Sequence, residues 1–264
     1  MSLSIRLPVV TVAVLAAACA STGAGDYAVT PQRPTFSNDT STTAPGTFEV
    51  ELGYFQTEDD KLLGFTTTSK YGYDDTTELF VTWAPYLEIP RADASDPGDA
   101  VLGVRHRFEE EYELPELAWE LSLLIPSNNN ETQFSNGELG ILVAGIATGH
   151  YEETTWTGYL QLGVLGDENA SAKLRQAFAV AGSIDYNDEW GGFAEVAYVN
   201  QTAGDPDPFF AVLGFDWMLD KSRVFDFGVE VPINNDADWR YFVGMTWNLG
   251  RLLAGESTPV FPEP

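Results

Sequence analysis

About twelve stretches of this chain alternate apolar and polar residues with a period of two. They fall near 47–57, 61–72, 76–88, 99–109, 115–126, 137–148, 153–165, 173–185, 189–200, 208–219, 222–232 and 238–249. Their connections sort into two kinds. Those at 87–98, 126–136, 166–171, 200–208 and 232–238 are long, and those at 73–76, 150–153, 186–189 and 219–222 are tight. Long and tight alternate down most of the chain. The stretch 109–115 is long for its side, and TEDDK after the first segment is short for its side. A membrane barrel has this rhythm, with short periplasmic turns, longer external loops and both ends on one side, whereas a soluble sandwich has no reason to keep it. The expected fold is all-β: a transmembrane antiparallel up-and-down β-barrel of about twelve strands over 47–249, preceded by an extended lead-in.

The two faces of the segments differ in the same sense throughout. Phe48, Val50, Leu52 and Tyr54 alternate with Glu49, Glu51, Gly53 and Phe55. Leu117, Trp119, Leu121, Leu123 and Ile125 oppose Glu116, Ala118, Glu120, Ser122 and Leu124. Trp83, Tyr86, Trp190, Trp217, Trp239 and Trp247 gather toward segment ends, as an interfacial girdle requires. A Lys or Arg on the lipid face would cost ~2–4 kcal/mol at the midplane, so charges belong inside. The inward set is then Glu49, Glu51, Glu78, Arg105, Arg107, Glu120, Glu195, Asp226, Glu230 and Arg240, with Asp216 at its margin. These charges either pair off and fill the lumen or line a pathway for cations or polar solutes. Twelve strands do not guarantee an open pore, because side chains or a folded-in leader can plug it. Segment 208–219 is apolar on both faces at Phe209, Phe210, Phe215, Trp217 and Met218, which calls either for an inner segment to bury them or for another register.

Thirteen Lys and Arg against forty Asp and Glu give a net charge of −27, which excludes nucleic acid as a partner. Residues 1–20 carry Arg6 and then an apolar run to Ala18, too short to span a membrane, so they read as a secretory signal. The single cysteine, Cys19, permits no intrachain disulfide. Two fates remain open for it, removal with the signal or lipidation at a lipobox-like site. Residues 21–46, rich in Ser, Thr, Gly and Pro, read as a mobile leader and extended lead-in, and 250–264 as a tail. Catalytic chemistry is sparse. His106 falls on the lipid face while Ser122 falls on the other, and His150 lacks a partner ligand. No enzyme activity, cofactor or metal is expected, beyond weak divalent cations at the acidic loops 93–99 and 204–207.

The lead-in carries a further signal. PQRPTFSNDTSTTAPGTFEVELGY (31–54) resembles the opening of the bacterial outer-membrane family associated with the MetA pathway of phenol degradation. Arg33, Pro34, Phe36, Pro45, Gly46, Glu51, Gly53 and Tyr54 fill that pattern, and Gln32 stands where the family has Asp. KYGYDDTTELFV (70–81) and GDAVLGVRHRF (98–108) are similar to two further stretches of it. The ending Gly244-x-x-Trp247-x-Leu249 resembles a closing strand read by outer-membrane assembly machinery. The resemblance implies an outer-membrane barrel, in contact with lipid, that passes small and perhaps aromatic solutes. Within that reading Arg33 is expected to fold back onto Glu49 and Glu51. The alternatives are a non-conducting structural or surface barrel, and a soluble periplasmic β-sandwich lipoprotein that binds a ligand.

Overall fold

The computed structural model describes residues 27–33, 35–58, 61–108, 115–128, 132, 134–135, 137–166, 172–201, 207–235 and 238–251. Among these residues the strands are β1 (Phe48–Thr57), β2 (Leu63–Gly72), β3 (Thr77–Ile89), β4 (Ala94–Asp96), β5 (Ala100–Arg107), β6 (Glu116–Ile125), β7 (Gly140–Tyr151), β8 (Thr154–Gly166), β9 (Ala172–Asp185), β10 (Trp190–Gln201), β11 (Phe209–Asp220), β12 (Arg223–Pro232) and β13 (Arg240–Gly250). Every strand pairs antiparallel with its sequence neighbours except at β4, and β1 pairs with β13 from Phe48↔Gly250 to Thr57↔Arg240. That last pairing closes the ring, leaving no free edge among the twelve long strands. Ring closure rules out the open sandwich.

The small strand β4 was not visible in the periodicity. It pairs with the far end of β3 through Leu87↔Asp96, Glu88↔Ser95 and Ile89↔Ala94, with a 3-10 turn at Pro90–Ala92 between them. Pro85 cannot donate to a ladder, and there the register of β2 and β3 shifts: Phe65 faces Tyr86 but Thr67 faces Trp83. Two residues of β3 thus oppose one of β2, a bulge that carries the strand past the proline. Strand β7 runs to Tyr151, so His150 lies in it rather than in a turn. In the turn after β2, Asp74 accepts hydrogen bonds from Thr76 N at 2.9 Å and Thr76 Oγ1 at 3.1 Å. The backbone bond from Thr76 holds the Asp74 carboxyl below the usual carboxylate range.

The outer wall is mainly aliphatic and aromatic, with Thr67 and Ser69 of β2 among its few polar positions. Leu121, Val143, Leu160, Leu162, Val180 and Val243 all lie bare on it. A band of that extent would drive association in water, and it suits contact with acyl chains. Trp190 stacks on Trp217 at 5.9 Å, and Trp217 on Phe225 at 5.9 Å, near the short-turn end. Among the described residues no helix is long and apolar enough to cross a membrane, which says nothing of a crossing by strands.

The packed core is inside the ring. Ala118, Ala144, Ala177, Ala179 and Ala197 point inward and are buried. Small side chains on these adjacent walls leave a volume that the barrel's own residues do not fill. Phe36, from the lead-in, occupies it: its ring sits edge-on to Tyr159 at 5.9 Å and to Phe210 at 6.1 Å. This explains the two-sided apolar character of 208–219. Phe215 and Trp217 face out, whereas Phe210 is buried against an inner segment.

Candidate functional site: the lumen and the segment that fills it

Strand register brings the inward charges into rows. Glu78 of β3 is opposite Arg105 of β5, and Arg105 is opposite Glu120 of β6. Arg105 pairs with Glu78 at 3.4 Å and with Glu120 at 3.0 Å. On the neighbouring wall Glu49 of β1 is opposite Lys70 of β2. Lys70 Nζ pairs with Glu49 and, at 2.8 Å, with Glu51. In both groups one cation serves two carboxylates, and all six side chains are buried. A carboxylate has about four lone-pair positions, so each group retains acceptor capacity and an excess negative charge. Left bare, that excess would be costly in a closed interior.

Residues 27–47 satisfy it. The described residues among them have no ladder partner beyond one bridge, Pro45↔Gly72, so their backbone N–H groups need acceptors. Thr30 N donates to Glu49 Oε2 at 3.0 Å and Gln32 N to Glu51 Oε1 at 2.8 Å. Phe36 N and Ser37 N donate to the two oxygens of Glu195 at 2.6 and 2.8 Å, and Ser37 Oγ adds a bond of 2.5 Å. Asn38 Nδ2 reaches Glu120 at 2.9 Å, and Thr40 Oγ1 reaches Glu116 at 2.6 Å. Thr43 N and Oγ1 both donate to Glu78 Oε2, at 2.8 and 2.6 Å. In return Lys70 Nζ donates to Thr30 O at 2.5 Å, and Arg105 to Ser41 O at 3.3 Å. The segment enters at the short-turn end, where Val29 N donates to Lys221 O at 2.9 Å. It crosses the lumen to β10 and returns along β6, β7 and β3 to begin β1.

Arg33 follows a different route from the one expected of it. Its guanidinium donates to Thr66 Oγ1 at 3.0 Å and pairs with Asp226 at 3.4 Å. The place beside Glu49 and Glu51 is taken by Lys70. Two glycines that face each other across β1 and β13, Gly53 and Gly244, form the slot for the arginine. A Cβ at Gly244 would stand 2.6 Å from Arg33 Nε, and one at Gly53 would overlap the guanidinium outright. Glycine in these two strand interiors is therefore explained by close approach of another chain segment.

Of the inward charges read from the sequence, Glu49, Glu51, Glu78, Arg105, Glu120, Glu195 and Asp226 all contact residues 27–47. Glu230 and Arg240 do not: they pair with each other at 3.4 Å nearer the long-loop end, and Arg240 lies over the Phe55 ring at 5.1 Å. Arg107 sits at the short-turn rim and donates to Asp75 O at 3.1 Å. Asp216 faces a cavity of about 260 Å³ beside the segment, shared with Gln32, Arg33, Asp39 and Asp226. Among the described residues Lys70, Glu116 and Arg175 also carry charge into the lumen and were not among the inward charges read from the sequence. The signal for Lys70 was its register: a hairpin turning on TEDDK sets it opposite Glu49. Cys19 and loop 204–206 lie outside the described residues. At the other acidic loop, Asp99 accepts a hydrogen bond from Ser127 N at 2.9 Å. Among the described residues no group of His, Cys, Asp and Glu could hold a metal ion. His106 Nδ1 shares a 3.1 Å hydrogen bond with Thr77 Oγ1, whereas Ser122 Oγ, inside the ring, donates to Glu120 Oε1 at 3.2 Å.

No protein-family model matches the chain. No curated protein matches it either. Solved structures do share its fold. One is an outer membrane channel from Pseudomonas putida F1, with a TM-score of 0.63 and 9% identity, aligned over 81% of this chain and 100% of that one. The NanC porin aligns with a TM-score of 0.53 at 7% identity over 76% and 98% of the two chains. The KdgM porin aligns with a TM-score of 0.53 at 9% identity over 75% and 98%. The fold is that of the bacterial outer-membrane β-barrels of the channel and porin type.

Proposed function

We propose that the chain is a channel of the bacterial outer membrane for small solutes, held closed at rest by residues 27–47. One observation carries this reading: an irregular segment threads the lumen and donates backbone N–H groups to Glu49, Glu51, Glu78 and Glu195, residues on three different strands. A barrel with a purely structural role would close its interior with its own side chains. Here the walls keep alanines and unsaturated carboxylates, and a separable segment completes them. The short-turn end is periplasmic in such barrels. The segment enters there, consistent with export by residues 1–20 and with either fate of Cys19. The resemblance of 31–54 to the MetA-pathway family, and the aromatic lining of Phe36, Tyr159 and Phe210, favour aromatic solutes. The lumen is not a free acidic ring, so weak cation preference in the closed state follows from pairing of its carboxylates.

Conductance of the refolded full-length protein in a planar bilayer tests this, beside Phe36→Asp. The substitution sets a carboxylate against Tyr159 and next to Glu195, which disfavours the inserted segment. The wild type should open rarely, and Phe36→Asp should raise open time ~10-fold or more, a factor that needs only ~1.4 kcal/mol. A variant that inserts with normal heat-modifiable mobility yet stays silent would establish the non-conducting barrel instead.

A further inference from the structure

We propose that Arg175, with Gln161 and Tyr159, forms a binding site in the long-loop half of the lumen for a small carboxylate that also carries a hydroxyl. The inference rests on the channel reading and names the solute class.

Arg175 lies on β9 with the inward parity of Ala177 and Ala179. Other lumen cations are committed: Arg33 to Asp226, Lys70 to Glu49 and Glu51, Arg105 to Glu78 and Glu120, and Arg240 to Glu230. Arg107 donates to a rim carbonyl. Among the described residues Arg175 has no carboxylate or carbonyl partner; its Nε, like those of Arg33, Arg105, Arg107 and Arg240, is buried without an acceptor. In a chain with forty acidic residues, an inward guanidinium left unpaired is a reserved position. A guanidinium fork matches a carboxylate in two parallel hydrogen bonds.

The neighbouring groups narrow the class. Across the β8–β9 ladder the residue opposite Arg175 is Gly163, so no side chain competes for the fork. Gln161 is the diagonal neighbour, since it pairs with Ala177. Its side chain is 7% exposed, and its Oε1 is buried without a donor. Its Nε2 donates to Tyr159 Oη at 2.8 Å, and in this amide orientation the carbonyl oxygen is the vacant acceptor. Tyr159 Oη accepts that bond and keeps its own proton to donate. A guanidinium and a vacant acceptor on diagonal positions are ~7–8 Å apart at the backbone, the scale of one substituted ring. Below them the Phe36, Tyr159 and Phe210 rings pack edge-on against one another and make that end of the site apolar. An anion satisfies Arg175, and its hydroxyl satisfies Gln161.

Equilibrium binding of 4-hydroxybenzoate to the folded full-length protein in detergent, read by calorimetry, tests the site without requiring conduction. The wild type should bind saturably. Arg175→Met should weaken binding ~10-fold or more, as expected for a hydrogen bond to a charged group, while Arg175→Lys should recover part of it. Benzoate should bind the wild type more weakly than 4-hydroxybenzoate, and Gln161→Leu should erase that difference. Equal binding by wild type and Arg175→Met overturns the proposal. So does absence of saturable binding by wild type, whatever the bilayer conductance of the same preparation, which judges the channel reading separately.

Discussion

The two halves of the lumen use the same residue types in opposite ways. Toward the short-turn end, Glu49, Glu51, Glu78, Glu120 and Glu195 are buried, and each is saturated by a cation, by the threaded segment or by both. Toward the long-loop end, Arg240 and Glu230 meet in a single pair whose arginine is 40% exposed, and Arg175 meets no carboxylate among the described residues. A charge in a saturated network specifies where a chain segment sits. A charge left half-solvated can exchange partners at little cost. The difference locates structure in one half and exchangeable chemistry in the other.

The sharpest way to break this comparison is Lys70→Met. Without the ammonium, Glu49 and Glu51 become two buried carboxylates with only segment amides to hold them. Removing one partner of a buried pair costs ~3–5 kcal/mol. We expect a lower denaturant midpoint by tryptophan fluorescence and proteolytic exposure of residues 27–47 in the folded barrel. An unchanged midpoint would mean that the short-turn half is no more tightly coupled than the long-loop half.

A smaller effect should come from Gly53→Val. The valine side chain would fill the slot under Arg33 and force the guanidinium away from Thr66 and Asp226. Overpacking of this kind costs ~1–3 kcal/mol. Protection of the segment near residue 33 against hydrogen exchange should fall, while that near Thr43, held separately by Glu78, should persist. Loss of protection along the whole segment would show that it releases as one unit.

Much of the barrel was legible in the sequence because strand period and turn length are local signals. Segment 47–57 became Phe48–Thr57, and 115–126 became Glu116–Ile125. The extra turns of pairing at β4 were not, since three residues carry no period and their pairing depends on the bulge at Pro85. The lumen was harder still. That Glu195 would hold Ser37 could not be read locally, because the two are 158 residues apart and the contact is made by a backbone amide that any residue carries. Arg33 was legible as a residue that folds back, but its destination was set by facing glycines on β1 and β13, a pairing that exists only after the ring closes. Glycine within a strand pattern was the available signal for close approach, and Gly53 and Gly244 both carried it. Arg175 had no signal at all, because its distinction is the lack of a partner.

The smallest effect should come from Lys61→Ala, which sharpens the comparison from outside the lumen. Lys61 pairs with Asp238 at 2.6 Å across the long-loop rim, with both side chains nearly half exposed. Geometry alone would rank this ion pair above Arg105–Glu78, which is longer at 3.4 Å. Burial reverses the ranking. In water the Coulomb gain at the rim is screened and offset by the entropy of holding two long side chains, so a change within ~0.5 kcal/mol is expected. Arg105→Met should cost several times more, because Glu78 and Glu120 would remain buried without their cation. Denaturation of both variants at low and at high salt separates the two cases. The rim variant should differ from wild type only at low salt, and the lumen variant should differ at both. If the rim pair proved as costly as the lumen pair, position in the network would not decide the energy of these charges, and the division between the two halves would have to rest on distance instead.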